Sequence, residues 1–518
     1  MSVSRRSFFR AAVGATVMAP ALTACVAGSQ DLAAEVAFDH GVASGDPLQD
    51  RVIIWTRVNT SAETVTVSWQ MATDADFSNV ISSGTLLTDA KRDHTVKVDV
   101  TGLQSDSAYY YRFSCQNSDS IVGRTKTLPD GSPEQYSLAV VSCSNFPYGF
   151  FNAYQCVAQR DDVDVVLHLG DYIYEYANGK YGDGNLLGRV PRPDRETVQL
   201  EDYRERYACY REDEDLMAVH ARHPFIVVWD DHEFANNTWV KGAENHDSNE
   251  GDWNARRAAA TQAYFEWMPI RKSVSDRQQR IYRSFQFGDL FDLIMLDTRS
   301  VGRDQQLDRE EVELMAAKER SLLGTTQEYW LAGELAASKE NNTLWRLLGQ
   351  QVVMSQVFNR KGQMANADAW DGYPACRQRI FDQLQRDDIQ NNVILTGDVH
   401  SSWANDVCAN PFDPDQYDPD TGKGSLAVEF VTPAVSSPGF TDREEADKTA
   451  VALVNKHPHI KYTDLWHRGF LIININRKQV VGNWYHLDTV TERSTKVSLV
   501  KRYGTELNRP GLKELANA

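Results

Sequence analysis

Four apolar, strand-like runs in this chain each end in a short polar motif. Residues 138–141 lead into Ser142-Cys143-Ser144-Asn145, and residues 163–169 into Gly170-Asp171-Tyr172-Ile173-Tyr174. Residues 225–229 lead into Asp230-Asp231-His232-Glu233, and residues 393–396 into Gly397-Asp398-Val399-His400. Parallel strands of open α/β sheets present their reactive groups at their carboxyl ends. A fold that gathers four such ends collects sulfur, oxygen and nitrogen donors at one place, which suggests a metal site.

The surrounding texture agrees with such a fold. Residues 36–130 read as all-β: the runs 52–57, 65–69, 95–100 and 109–113 are rich in β-branched and aromatic residues, several of them alternating with period two. They predict a small antiparallel sandwich of immunoglobulin or fibronectin type. A Pro- and Gly-bearing linker follows at 127–133. Over 135–518 strand-like and helical runs alternate, which predicts a layered α/β domain. Helices are expected at 251–268, 305–322, 326–338 and 377–385. Strands are expected at 291–296, 344–354, 427–431, 470–475 and 480–485. The polar tail 496–518 reads as helical.

The N-terminus addresses compartment. Ser4-Arg5-Arg6-Ser7-Phe8-Phe9 is a twin-arginine pattern, followed by a short apolar stretch. Residues 1–30 therefore read as a signal peptide for the twin-arginine export machinery, which carries proteins already folded. Leu22-Thr23-Ala24-Cys25 resembles a lipobox, so Cys25 is either a lipid anchor or lies near a plain cleavage site. Either way the expected location is the periplasm, the cell envelope or the medium. A formal charge of −18 argues against specific nucleic-acid binding, which needs a basic face. Six cysteines remain beyond Cys25. An exported protein can pair such a set, but no spacing assigns the pairs.

Each candidate has a plain structural alternative. Asp171 and Tyr174 can aim two oxygens at one point, or serve as a helix cap and a core tyrosine. A tyrosine phenolate suits ferric iron. Cys143 is a thiolate ligand near a cation, or a small buried hydrophobe. Asp230 and Asp231 repel unless a cation lies between them, with His232 beside them as acid or oxyanion donor; the alternative is a capped helix start. Asp398 and His400 flank Val399, so an extended chain points both to one side; the alternative is a strand-end turn.

In order and content these motifs resemble the PhoD-like alkaline phosphatases and phosphodiesterases, within the metallophosphoesterases that include the purple acid phosphatases. Gly170-Asp171-x-x-Tyr174 resembles the tyrosinate block of the purple enzymes. Asp230-Asp231-His232-Glu233 stands where the superfamily has Gly-Asn-His-Glu, and Gly397-Asp398-Val399-His400 where it has Gly-His-x-His. Ser142-Cys143 replaces the usual Asp-x-His block, as is typical of the PhoD-like branch. The likeness extends to Gly41-Val42-Ala43-Ser44-Gly45-Asp46-Pro47, Trp55-Thr56-Arg57, Trp370-Asp371-Gly372-Tyr373 and Thr432-Pro433-Ala434. The resemblance implies an α/β/β/α metallophosphoesterase domain behind the sandwich. It implies Fe3+ held by Cys143, Asp171, Tyr174 and His400. It implies Ca2+ held by Asp171 as bridge with Asp231, Asn236 and Asp398, with the part of Asp230 left open. The superfamily's middle histidine has no clear counterpart, and Gln350 or Gln351 is the candidate for its place.

The expected function is hydrolysis of phosphate mono- or diesters by metal-activated water, with His232 serving the departing group. Two other readings stand beside it: a purple-acid-phosphatase-like enzyme with two transition metals, and a calcium-dependent surface-binding protein.

Overall fold

The computed structural model describes residues 35–272, 280–359 and 361–517. The twin-arginine segment and Cys25 lie outside the described residues. Two large sheets face each other. The first has ten strands, and at its centre Gln135–Val141, Val165–His168, Pro224–Val227 and Val42–Gly45 run parallel. The second has seven, with Phe291–Met295, Trp345–Gln350, Asn392–Thr396 and Ala427–Val431 parallel.

These central strands are apolar on both faces, as parallel strands covered on both sides must be. Period-two alternation divides their side chains between two cores. Leu293, Leu347, Val393 and Leu395 join Leu138, Val140 and Leu167 in the core between the sheets. Their neighbours Ile294, Leu348 and Ile394 point the other way. There they meet Leu331 and Leu335 of helix Gly324–Glu340 and Phe381 of helix Pro374–Arg386. Helices Asn152–Ala158 and Glu214–Arg222 lie against the ten-stranded sheet. The fold is mixed α/β.

Residues 36–130 do not stand apart from this frame. Strands Val42–Gly45, Arg51–Arg57 and Thr95–Thr101 form one end of the ten-stranded sheet. The remaining strands of the region build a separate five-stranded sheet around Thr64–Ala72 and Ala108–Cys115. Val52, Ile54 and Val96 from the first meet Val67, Tyr111 and Phe113 from the second in a single apolar cluster. One layer of this β-region is thus also the edge of the main sheet.

One expected helix is reduced to a single turn and another is absent. Over 305–322 only Val312–Met315 is helical, although the composition favours helix. The ends of the segment are pinned together: Asp304 N–H donates to the Ser321 carbonyl at 3.0 Å, and Ser321 N–H returns to Asp304 Oδ2 at 2.9 Å. A straight helix of that length would separate its ends by about 25 Å, so closure of the loop overrides propensity. The tail 496–518 forms strands Val497–Glu506 and Arg509–Glu514, a hairpin that extends the ten-stranded sheet beside Gln479–Leu487. Leu512 N–H ties it to Asp406 at 2.8 Å. The expected strand 344–354 ends at Gln350. The six described cysteines are free and buried. No helix among the described residues is long and apolar enough to cross a membrane.

Candidate metal centre

The carboxyl ends of parallel strands from both sheets meet at one place. The ten-stranded sheet delivers the loops that begin at residues 142, 169 and 228, and the seven-stranded sheet delivers the loop after Asn392–Thr396. The first two loops are laced together: Cys143 N–H donates to Gly170 O at 3.2 Å, and Ser144 N–H to Asp171 O at 2.9 Å. Gly170, at φ +104°, lies so close to the third loop that a Cβ would sit 2.4 Å from Asp230 N. Cys143, Asp171, Asp398 and His400 have φ of +61°, +54°, +62° and +55°. Left-handed backbone outside glycine is uncommon and gathers where a site over-determines it. Here it turns four candidate ligands inward.

Cys143, Asp171 and His400 each offer a donor atom within 4.8 Å of the other two. The Tyr174 hydroxyl lies 3.0 Å from Asp171 Oδ2 and 3.2 Å from His400 Nε2. Asp171, Asp231 and His232 form a second such group, and Asp230, Asp231 and Asp398 a third. Asp171 belongs to the first two groups and Asp231 to the last two, so the three are contiguous. Asn236 is half-buried; its N–H donates to Glu175 at 2.7 Å and its Nδ2 approaches Glu244 at 3.4 Å.

Several supporting residues escaped sequence reasoning. Glu233 accepts three backbone N–H groups, from Asp171, Tyr172 and Asp230, at 2.9, 2.6 and 2.7 Å. It fixes the second loop against the third. Glu175 accepts from His232 Nδ1 at 2.7 Å, which orients the imidazole towards Asp171 and Asp231. Ser437 Oγ lies 2.7 Å from the Tyr174 hydroxyl. Arg299, fully buried, is the largest omission. It bonds Asp230 through Nε, Asp368 at 2.6 Å and Asp398 at 2.7 Å, and lies 3.5 Å from Asp231. Its place in Asp297-Thr298-Arg299, after an apolar strand, was the available signal.

Gln350 and Gln351 do not take the place proposed for them. Gln350 bonds Thr396 and Trp370, while Gln351 bonds Thr298 and the Leu296 carbonyl. Both amides are committed to neighbouring strands and loops.

Electrostatics make this array costly without a cation. Burial pushes the Cys143 thiol and the Tyr174 phenol well above their usual pKa values, and neighbouring Asp171 adds to both. Burial likewise raises Asp171 well above the carboxylate range and Asp398 to about 7. His400 is lowered to about 3, chiefly by burial, so its ring stays neutral with a lone pair available. Burial opposes charge on His232, but Glu175, Asp231 and Asp171 outweigh it and hold the imidazole protonated. Asp230 Oδ2 and Asp231 Oδ1 are buried without a hydrogen bond. Orphaned carboxylate oxygens beside a thiol, a phenol and a neutral imidazole fit cation binding.

A buried centre of mixed sulfur, oxygen and nitrogen donors at the strand ends of an α/β fold is a candidate metal site. Comparison with known proteins makes the class specific. The chain matches the PhoD-like phosphatase family over residues 138–484, and the N-terminal domain of PhoD-like phosphatases over residues 24–129. It is 34% identical over 500 residues to alkaline phosphatase D of Bacillus subtilis (strain 168), covering 93% of this chain and 82% of that protein. It also superposes on a solved structure of PhoD with a TM-score of 0.83 at 33% identity, over 93% of this chain and 92% of the other. The chain belongs to the PhoD-like phosphatase family and is a phosphoesterase.

Proposed function

We propose that the chain is an exported phosphoesterase that cleaves phosphate mono- and diesters at a ferric–calcium pair. The observation that carries this reading is the convergence of Cys143, Asp171, Tyr174 and His400 beside two orphaned carboxylate oxygens. Thiol, phenol and imidazole donors around Asp171 suit a trivalent transition ion, and the all-oxygen group of Asp231 and Asp398 suits a hard divalent cation. Asp171, grouped with Cys143 and His400 on one side and with Asp231 on the other, would serve both ions. The two facing sheets with helices outside are consistent with α/β/β/α metallophosphoesterase layering, and the region 36–130 with an added β-sandwich. Export rests on the twin-arginine pattern alone, with Cys25 as an optional lipid anchor.

When bound, the metal pair activates water and neutralises phosphoryl charge. The chain supplies the rest. Burial excludes bulk water from the carboxylates and strengthens each interaction there. Glu175 keeps His232 protonated with Nδ1 occupied, leaving Nε2 to donate to the departing ester oxygen. Glu233 and Gly170 hold the loops in register, so these groups meet the phosphate already oriented. Sulfur and nitrogen donors disfavour a calcium-only binding protein.

Elemental analysis of purified, active protein tests the reading. Iron together with calcium, and hydrolysis of p-nitrophenyl phosphate lost on chelation, is the expected result. Active protein free of iron would overturn the cofactor assignment.

A further inference from the structure

We propose that an apolar cavity behind His400 receives the organic group of the ester, so that the enzyme favours phosphate esters carrying a bulky alkyl or aryl substituent. The inference rests on the phosphoesterase reading above and names its substrate class.

The cavity measures about 430 Å³, within the range of about 300–1,000 Å³ for small-molecule sites. Two stretches of chain divide it from the metal centre, and each faces both ways. In the first, Asp398 bonds Arg299 and His400 Nε2 lies 3.2 Å from Tyr174, while Val399 and Ser401 line the cavity. In the second, Asp368 bonds Arg299, while Ala365 and Ala369 line the cavity. His400 itself lines both spaces. His400 alone among the lining residues belongs to the metal centre, so the organic group of a bound ester would enter the cavity past its ring.

The far wall comes from Ala452 and Leu453 of helix Arg443–Lys456, with Phe440 beside them. Phe440 is 37% exposed, an aromatic ring left open to solvent where the cavity meets the surface. The lining is mainly apolar, and two of its polar side chains are already engaged, while Ser355 Oγ stays buried without a partner. Asp371 bonds Arg377 at 2.8 Å and Val357 N–H at 2.8 Å, and His457 accepts from Phe358 N–H at 2.9 Å. A polar occupant would find few partners on such walls; an apolar one gains from burial.

The test uses the metal-loaded enzyme and a series of p-nitrophenyl phosphodiesters whose second ester group is methyl, butyl or cyclohexylmethyl. The leaving group stays constant, so kcat/KM reports the fit of the varied group. We expect kcat/KM to rise by about tenfold or more from methyl to cyclohexylmethyl. Ala452→Trp, which fills the space, and Leu453→Asp, which charges it, should each bring the cyclohexylmethyl-to-methyl ratio close to one. The ratio is internal to each protein, so partial loss of folded enzyme does not alter it. A flat series in the parent enzyme overturns the inference, as does a slope that survives both substitutions. Failure to turn over even the methyl ester would instead defeat the diester part of the proposed function.

Discussion

The two halves of the centre solve the same electrostatic problem in different ways. Around Cys143, Tyr174 and His400 cationic influence comes from the His232 ring, 4.3 Å from that of Tyr174, and from Arg468, which acts on His400, and neither is hydrogen-bonded to a donor atom. Around Asp230, Asp231 and Asp398 the cation of a resident arginine is already present. Asp231 shows the consequence: burial works against its charge, yet Arg299 and then His232 bring its pKa down to about 2. The Cys143 thiol, with no such neighbour, is driven far upwards. One half lacks a bonded cation; the other is partly compensated by Arg299 and retains two orphaned oxygens, Asp230 Oδ2 and Asp231 Oδ1. On the proposed reading, the carboxylates would be shared between a permanent guanidinium and an exchangeable cation.

Four substitutions can break or sharpen that contrast. Arg299→Met strands Asp230, Asp368 and Asp398 in the interior and should destabilise the fold by about 3–5 kcal/mol in denaturant unfolding. Added calcium should then raise the unfolding midpoint of the variant more than that of the parent; equal responses would mean that the two cations do not share these oxygens. Asp171→Asn removes the carboxylate that lies between the halves, grouped with Cys143 and His400 and also with Asp231. Loss of such a charge should lower kcat on p-nitrophenyl phosphate by about 10²–10³-fold, and undiminished turnover would remove it from the bridging role. Tyr174→Phe acts on the uncompensated half alone. It should abolish or shift the visible absorption of a ferric phenolate and reduce iron affinity by about 10–100-fold, whereas an unchanged spectrum excludes tyrosinate ligation.

The smallest effect is expected from Glu175→Gln, which leaves the ligands in place and alters only the proton donor. With the Glu175 charge gone, the raised pKa of His232 falls. Activity that depends on protonated His232 persists below its pKa and is lost above it, so the alkaline limb of the kcat profile should move to lower pH. The loss at the optimum should be about tenfold. A profile identical to that of the parent would take His232 out of proton transfer.

How far these features were legible follows from their range in the chain. Asp171 and Tyr174 are three residues apart, and Asp398 and His400 two, so their common aim is a local property of a strand-end turn. The four left-handed residues were invisible as conformations, yet the motifs around them marked where the turns fall. Arg299 was not legible in this way. Its partners lie 69 residues away at Asp230 and Asp368 and 99 away at Asp398, and an arginine after a strand has many ordinary uses. The segment 305–322 misled because helix propensity is local, while the Asp304–Ser321 closure that defeats it is tertiary. The C-terminal hairpin misled for the same reason: its strands gain their hydrogen bonds from Gln479–Leu487 and from each other.

The amino-acid sequence by itself determined the donor types, their order and their place at the ends of buried strands, because these depend on residue chemistry and period-two alternation within a few positions. Only the tertiary structure decided that the N-terminal strands complete the main sheet, that a guanidinium lies among the acidic ligands, and that a cavity opens behind His400. Those outcomes depend on which distant segments pack together, and packing is settled by burial and charge compensation across the whole chain.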